Sequence, residues 1–448
     1  MPTRCDFLQL AFASLHTEYA RAQPHFAPKA KSVIFLFMDG GVSHIDSFDP
    51  KARVLKESGQ TLPIARPKII RAVSPLLLGS PFEFRQYGQC GAPVSSLFPE
   101  IARHVDDLCI IRSMVADHSE HTAANYFMHS GSGLQGRPSI GAWVNYGLGS
   151  PSRNLPGYVV LENGMTPPGG MDIFGNGFLP ANYQASMFQA GPRAVADIVP
   201  ADSTPAKQRA KLDLLSELDK GALARYHGAP EVQAAIANYE LAYRMQAAVP
   251  ELTDISGESE VTRKLYGLDD KETEEYGRSC LLARRLVERG VRFIELLSPK
   301  RDGIDRWDQH ALLKKGHMIN AKATDKPIAG LLQDLKARGL LADTLVVWGG
   351  EFGRSPTTQG SGDGVGRDHH PYGFTMWLAG AGVKAGLTYG ATDEYGFYAV
   401  ENRMHVHDFH ATLLHLLGLD HTRLTYPFSG REMRLTDVHG NVAKGILS

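Results

Sequence analysis

Four cysteines in 448 residues, Cys5, Cys90, Cys109 and Cys280, are widely separated and form no CxxC pair. That excludes a disulfide framework. No apolar run approaches the roughly 18–20 residues that cross a bilayer, so no transmembrane segment is expected. A formal net charge of −1 provides no overall field toward nucleic acid or an anionic membrane, and no nucleic-acid partner is expected. No internal repeat is visible. The first residues lack the adjacent arginines of a twin-arginine export signal: Arg4 is followed by Cys5, and His16 and Glu18 interrupt the short apolar segment. Residues 1–27 are set apart as either a degraded export signal or an amphipathic helix. Export and a cytoplasmic location both stay open.

What is present is ordinary in bulk and unusual in one respect. Hydrophobic content of 43% and charged content of 21% suit a globular protein. The 18 histidines are the exception, because many fall close to Asp or Glu. Imidazole is the commonest metal ligand and a physiological acid or base.

The stretch VIFLFMDGGVSHIDSFDP, Val33 to Pro50, carries the first signal. Val33 to Phe37 is a continuous apolar run closed by Asp39, Gly40 and Gly41, the pattern of a buried parallel strand. In open α/β sheets ligands bind at the carboxyl edge, and the two glycines let the backbone turn sharply there. The pattern then repeats. Leu108 to Arg112, Tyr158 to Leu161, Val291 to Leu297, Thr344 to Trp348 and Phe374 to Leu378 read as further strands. Helices are expected over Leu97–Val105, the end of Asp117–Gly131, Pro138–Leu148, Glu272–Arg289, Asp325–Arg338 and Val406–Leu417. Residues 162–268 read as an insertion: an irregular, Gly- and Pro-rich excursion, then helices over Ala206–Leu218 and Val232–Met245. The alternation of strands and helices predicts an α/β fold, with a mainly parallel sheet covered on both faces.

Metal-type side chains cluster at the strand ends. Asp39 follows the first strand; Asp117, His118 and His121 follow the second; Asp308 and His310 follow VRFIELL; Glu351 follows TLVVW. His369, in GRDHHPYG, precedes the last strand. On a parallel sheet these loops share one edge. A mixed set of imidazoles and carboxylates suits zinc, manganese or iron, and oxygen-rich sets suit magnesium or calcium. Two such ions about 4 Å apart would clamp the oxygens of a displacement at phosphorus. The helix N-terminus after Asp117 is a natural place for an anion. Arg354 either pairs with Glu351 or, if metal claims that carboxylate, is free to bind substrate oxygens. His405, His407, His410 and His415 read as a packed or solvated helix face.

The pattern MDGGVSHIDSFDPK, EHTAANYFMHSG, WDQH, GGEFGRSP, GRDHHP and HDFHATLLHLLGL, closed by LTYPFSGREMRLTDVHG, resembles the family catalogued as domain of unknown function 1501. That family in turn resembles the alkaline phosphatase/sulfatase superfamily. The resemblance implies a three-layer sandwich, a single domain over residues 28–448, and a metal-dependent hydrolase acting on a phosphate or sulfate ester. It also implies one or two divalent ions. Asp39 matches the first-strand metal Asp. Glu351 and Phe352 stand where the superfamily has Asp-His, so one ligand is missing. Asp308 and His310 resemble the loop that holds the other ion, and His369 the late histidine that completes it. Asp408 and Thr412 match a late helix that is chiefly structural. The nucleophile position falls on His121, with Thr122 beside it. A metal-bound hydroxide attacking directly is therefore one expectation, with Thr122 or Ser119 as nucleophile the other. A protein that holds metal or serves as a scaffold without catalysis is the alternative reading.

Overall fold

The computed structural model of the chain describes residues 23–65, 74–191, 193–198, 204–225 and 230–448. Residues 1–22 of the expected N-terminal segment lie outside these. Strands β1 (Ser32–Phe37), β2 (Leu108–Val115), β3 (Tyr158–Glu162), β4 (Ser186–Gln189), β5 (Phe293–Leu297) and β6 (Thr344–Gly349) form the heart of the fold. A hairpin of β7 (Gly353–Gln359) and β8 (Gly366–His370) follows. Strands β9 (Phe374–Ala379), β10 (Leu387–Tyr389) and β11 (Met404–His405) complete the set used below. The nine-stranded sheet runs β10-β2-β9-β6-β1-β5-β3-β4, with β11 added beside β2.

The sheet is parallel except at β9, which runs antiparallel to both β2 and β6. The reversal matters for the site. Strands β1, β5 and β6 end level, with Phe37 opposite both Leu297 and Gly349. Because β9 is reversed, its first residue sits at that same edge, so the chain that precedes β9 joins the chain that follows the parallel strands.

Alternate residues of β1 sort to opposite faces, as a pleated strand requires. Ile34 and Leu36 pack with α5 (Glu274–Glu288) and α6 (Leu313–Ala337), through Leu281, Leu282, Ile328 and Leu332. Val33, Phe35 and Phe37 pack with α1 (His121–Ser130), α2 (Ile140–Leu148) and α7 (Val406–Leu416), through Met128, Trp143 and Phe409. Every residue of β1 is buried, and each large apolar side chain contributes about 1.5–3 kcal/mol by leaving water. The result is the three-layer α/β arrangement expected from the alternation.

Some expectations shift. The helix placed at Asp325–Arg338 begins at Leu313, and Pro327 lies inside it. Asp325 does not start a helix. Its carboxylate accepts the N–H groups of Glu100 and Ile101, each at 2.8 Å, at the start of a 3₁₀ turn over Ile101–Asp107. That turn replaces the helix expected at Leu97–Val105. The excursion after residue 162 contributes β4, which pairs parallel with β3, and then two long helices, α3 (Pro205–Arg225) and α4 (Pro230–Thr253). Among the described residues, no helix is long and apolar enough to cross a membrane.

Candidate metal centre

The loop after β1 is held open by its glycines. Gly40 has φ +102°, and a Cβ there would meet the backbone nitrogens of Trp307 and Asp308 at 2.7 Å. Gly41 has φ +74°, and a Cβ there would strike the Phe352 ring at 2.7 Å. Only glycine permits both the left-handed backbone and this close approach. The loops after β1, β5 and β6 are thereby drawn together at one edge of the sheet.

Four side chains converge there. His121, at the first turn of α1, Asp308 and His310 from the loop after β5, and His369 on β8 bring one ligand atom each to within 4.8 Å of one another. His310 Nε2 lies 2.8 Å from His369 Nε2 and 3.0 Å from Asp308 Oδ1. His369 Nε2 is 3.3 Å from the same oxygen, and His121 Nε2 is 3.1 Å from Asp308 Oδ2. A four-coordinate ion with ligands at about 2.0–2.2 Å keeps neighbouring donors about 3.3–3.6 Å apart, close to these contacts.

The outer nitrogens decide what the inner ones can do. His369 Nδ1 donates to the Ser119 carbonyl at 2.7 Å, and His310 Nδ1 donates to Gln359 Oε1. His121 Nδ1 donates to Glu351 Oε1 at 2.6 Å. With Nδ1 carrying the hydrogen, a ring in its neutral form turns its Nε2 lone pair to the centre. The Nε2 atoms of His310 and His369 face each other across 2.8 Å, a contact held together by a shared proton or by a cation between them. His121 Nε2 is buried without a hydrogen-bond partner. A buried nitrogen without a partner and two ring nitrogens in close opposition are what a cation resolves, and outer partners on Nδ1 are how ligating histidines are oriented. The residues present fit a divalent ion bound by three nitrogens and a carboxylate.

The acidic groups of this edge favour positive charge beside them. Burial works to raise the Asp308 pKa, but contacts with His121, His310, His369 and Arg354 outweigh it and hold the group ionised. Burial works to lower His121, but contacts with Asp308 and Glu351 lift it to about 9. Burial likewise opposes Glu351, whose pKa the His121 contact nevertheless keeps low. His369 is lowered by burial. The edge therefore gathers negative charge and draws positive charge.

Several predicted site residues stand elsewhere. Asp39 is buried but outside the quartet: its Oδ2 accepts from Arg306 Nη1 at 2.6 Å. Burial pushes Asp39 up to about 7, against the pull of Arg306. Glu351 is also outside the quartet, engaged by His121 and by the Gly40 N–H at 3.0 Å. Arg354 is not free for substrate. It is fully buried, and it donates from Nε to Gly41 O at 2.9 Å, from Nη1 to Arg367 O at 3.1 Å, and from Nη2 to Gly40 O and to Asp308 Oδ1, the last at 2.5 Å. Its work is to brace Asp308 against the β1 loop. Thr122 faces Glu120, to which both its N–H and its hydroxyl are hydrogen-bonded. The N-terminus of α1 is not an open anion site, because the Glu120 carboxylate accepts from Thr122 N at 2.9 Å and Ala123 N at 3.1 Å. Asp408 and Thr412 are structural: Asp408 accepts from His405 N and Asn441 N, and Thr412 bonds Asp408 O and Ala443 N.

Sequence reasoning missed Gln359, the Ser119 carbonyl and Arg306. Gln359 lies on a strand that reads as loop, because β7 begins with Gly353 and contains Pro356. Arg306 had a signal, standing two residues before Asp308 in the same loop.

The family model described as Protein of unknown function (DUF1501) matches residues 30–447, so the chain belongs to that family. No curated protein matches it. Solved structures similar to it include a sulfatase from Pseudoalteromonas sp., at 14% identity and TM-score 0.35, covering 94% of this chain and 72% of that one. The alkaline phosphatase from the Antarctic bacterium TAB5 is similar at 12% identity and TM-score 0.38, covering 89% of this chain and 99% of that one. The lipoteichoic acid synthase LtaP from Listeria monocytogenes is similar at 10% identity and TM-score 0.38, covering 94% of this chain and 79% of that one.

Proposed function

We propose that this DUF1501 protein is a metal-dependent hydrolase of a phosphate or sulfate ester, with His121, Asp308, His310 and His369 holding one divalent ion. The observation that carries the reading is the convergence of four ligand atoms within 4.8 Å, with the Nε2 atoms of His310 and His369 2.8 Å apart and fixed from behind by Gln359 and Ser119. Three imidazoles and one carboxylate favour zinc, manganese or iron over calcium. Bound there, a divalent ion supplies polarisation of an ester oxygen and an acidified water.

The chain's own groups do the rest. Arg354 and the three imidazoles hold Asp308 ionised and in place. Glu351 fixes the tautomer of His121. Phe352 packs its ring against His121 and His369, with centroids 5.0 and 4.7 Å away, and keeps water from that side. The Thr122 hydroxyl is turned to Glu120, which supports direct attack by water over a covalent ester intermediate. The same observation favours the second reading, a metal-holding protein without turnover.

The test is reconstitution with zinc, manganese, magnesium and calcium in turn, measurement of bound metal by mass spectrometry, and a panel of phosphomonoesters, diesters and sulfate esters. We expect retained metal and turnover of at least one ester class that Asp308→Asn abolishes. Failure to retain any of the four metals sinks the proposal. Retained metal with no turnover on the panel leaves only the second reading.

A further inference from the structure

The candidates for binding a second ion are each committed elsewhere. Asp39 Oδ2 is taken by Arg306 Nη1 at 2.6 Å. Glu351 Oε1 is taken by His121 Nδ1 at 2.6 Å and by the Gly40 N–H at 3.0 Å, and Glu351 Oε2 also faces that N–H at 3.2 Å. The remaining corner is filled by the Phe352 ring, which is 1% exposed. An ion reaching Asp39 would have to displace the Arg306 guanidinium from a buried carboxylate.

We propose that the centre takes a single divalent ion and that Arg306 serves as its second positive charge, neutralising Asp39 through Nη1 and offering Nη2 to an oxygen of an anionic substrate. The proposal rests on the quartet reading above and adds the ion count and a binding residue. Three observations support it. Arg306 stands two residues before Asp308, in a loop that Gly40 draws against β1: a Cβ on Gly40 would meet Trp307 N and Asp308 N at 2.7 Å. The arginine is anchored rather than adrift. Its Nε donates to Met165 Sδ at 2.7 Å, and its carbonyl accepts from Gln309 Nε2 at 2.6 Å and from Asn320 Nδ2. Finally, one edge is spare: among the described residues Nη2 has no hydrogen-bond partner, and the side chain is 15% exposed. Arg354, by contrast, has no exposed surface and binds carbonyls and Asp308 with all three nitrogens. A planar guanidinium with one edge on a carboxylate and another nitrogen unengaged is suited to an oxyanion.

The experiment measures metal stoichiometry and the binding of inorganic phosphate by zinc-loaded protein. Wild type is expected to saturate at one equivalent of zinc. Asp39→Asn is expected to keep that equivalent, because Asp39 is not a ligand. Arg306→Met is expected to keep it too while weakening phosphate binding by about tenfold or more, the loss of a charge-assisted contact. Arg306→Lys keeps the charge and the Asp39 pair but not the fork, and is expected to bind phosphate with intermediate affinity; it serves if Arg306→Met does not fold. Two equivalents in wild type, loss of zinc from Asp39→Asn, absence of phosphate binding by loaded wild type, or unchanged phosphate affinity in the Arg306 variants would each overturn the inference. Zinc absent from wild type altogether would instead bring down the quartet on which it rests.

Discussion

His310 and His369 at the sheet edge, and His405 and His407 at the start of α7, are two imidazole pairs with ring centroids 4.5 and 5.2 Å apart. They use their nitrogens in opposite ways. In the first pair each Nδ1 donates outward and the two Nε2 atoms are left facing each other and Asp308. In the second, His405 Nε2 donates outward to Asp117 at 3.1 Å, while its Nδ1 accepts the His407 N–H at 3.3 Å and caps the helix. The His407 ring stacks on His439 at 5.0 Å instead of pointing with it at a common centre. The cleft they line, about 510 Å³ with Asp117 and His439, is rich in metal-type residues that do not converge as the first group does. Among the described residues only the His121, Asp308, His310 and His369 group brings its ligand atoms together. Residue type makes a ligand available; the partner on the far nitrogen decides whether it is aimed.

The largest expected effect cuts this comparison in two. Asp308→Asn should lower zinc affinity by about a hundredfold or more, since it removes a charged ligand shared by three imidazoles. His407→Ala and His439→Ala should leave zinc content at the wild-type level. Mass spectrometry of dialysed protein checks both, and zinc lost from the His407 or His439 variant would erase the distinction.

A second difference appears in acid. His410, on α7, donates from Nε2 to Met128 O at 2.7 Å and is held down to about 3 by burial. The unfolded value is about 6.5. A histidine with a depressed folded pKa contributes its full stability above about pH 6.5 and loses it as pH falls toward 3, with a slope of about 1.4 kcal/mol per pH unit. His410→Gln should flatten the fall of the urea midpoint between pH 6 and about 4. A variant that loses stability with acid as steeply as wild type would show that His410 does not titrate in this way.

The outward partners come next. Gln359→Leu removes the acceptor behind His310 and should cost about tenfold in zinc affinity with little change in melting temperature. An unchanged affinity would mean that His310 is oriented by packing alone. The smallest effect belongs to the other pair: His405→Ala removes the cap of α7 and should cost about 1 kcal/mol of stability, read by urea unfolding, with zinc content unaltered.

How far the sequence carried the site depends on the residue. His121, Asp308, His310 and His369 were each marked by their position beside a predicted strand, because strand ends of a parallel sheet share an edge. Asp39, Glu351 and Arg354 had the same marks and other roles. The difference lies in contacts 230 or more residues apart in the chain, Arg306 to Asp39, His121 to Glu351 and Arg354 to the Gly40 carbonyl, which no local pattern encodes. Arg306 was passed over because a loop arginine is ordinarily solvated. Gln359 was passed over because a Gly- and Pro-containing segment reads as loop, whereas cross-strand pairing with β8 makes it a strand.

By itself, the sequence determined the alternation of apolar strands and amphipathic helices, the glycines that allow the β1 loop to turn, and the placing of imidazoles and carboxylates beside the strand ends. Those are local properties, fixed by side-chain period and backbone freedom. Only the tertiary structure decided which of those polar groups meet. The reversal of β9 brings His369 to the edge, the close approach at Gly40 seats the Asp308 loop, and the partners on the outer nitrogens turn three Nε2 atoms inward. Burial then fixes each choice, because a polar group shut away from water must find a partner.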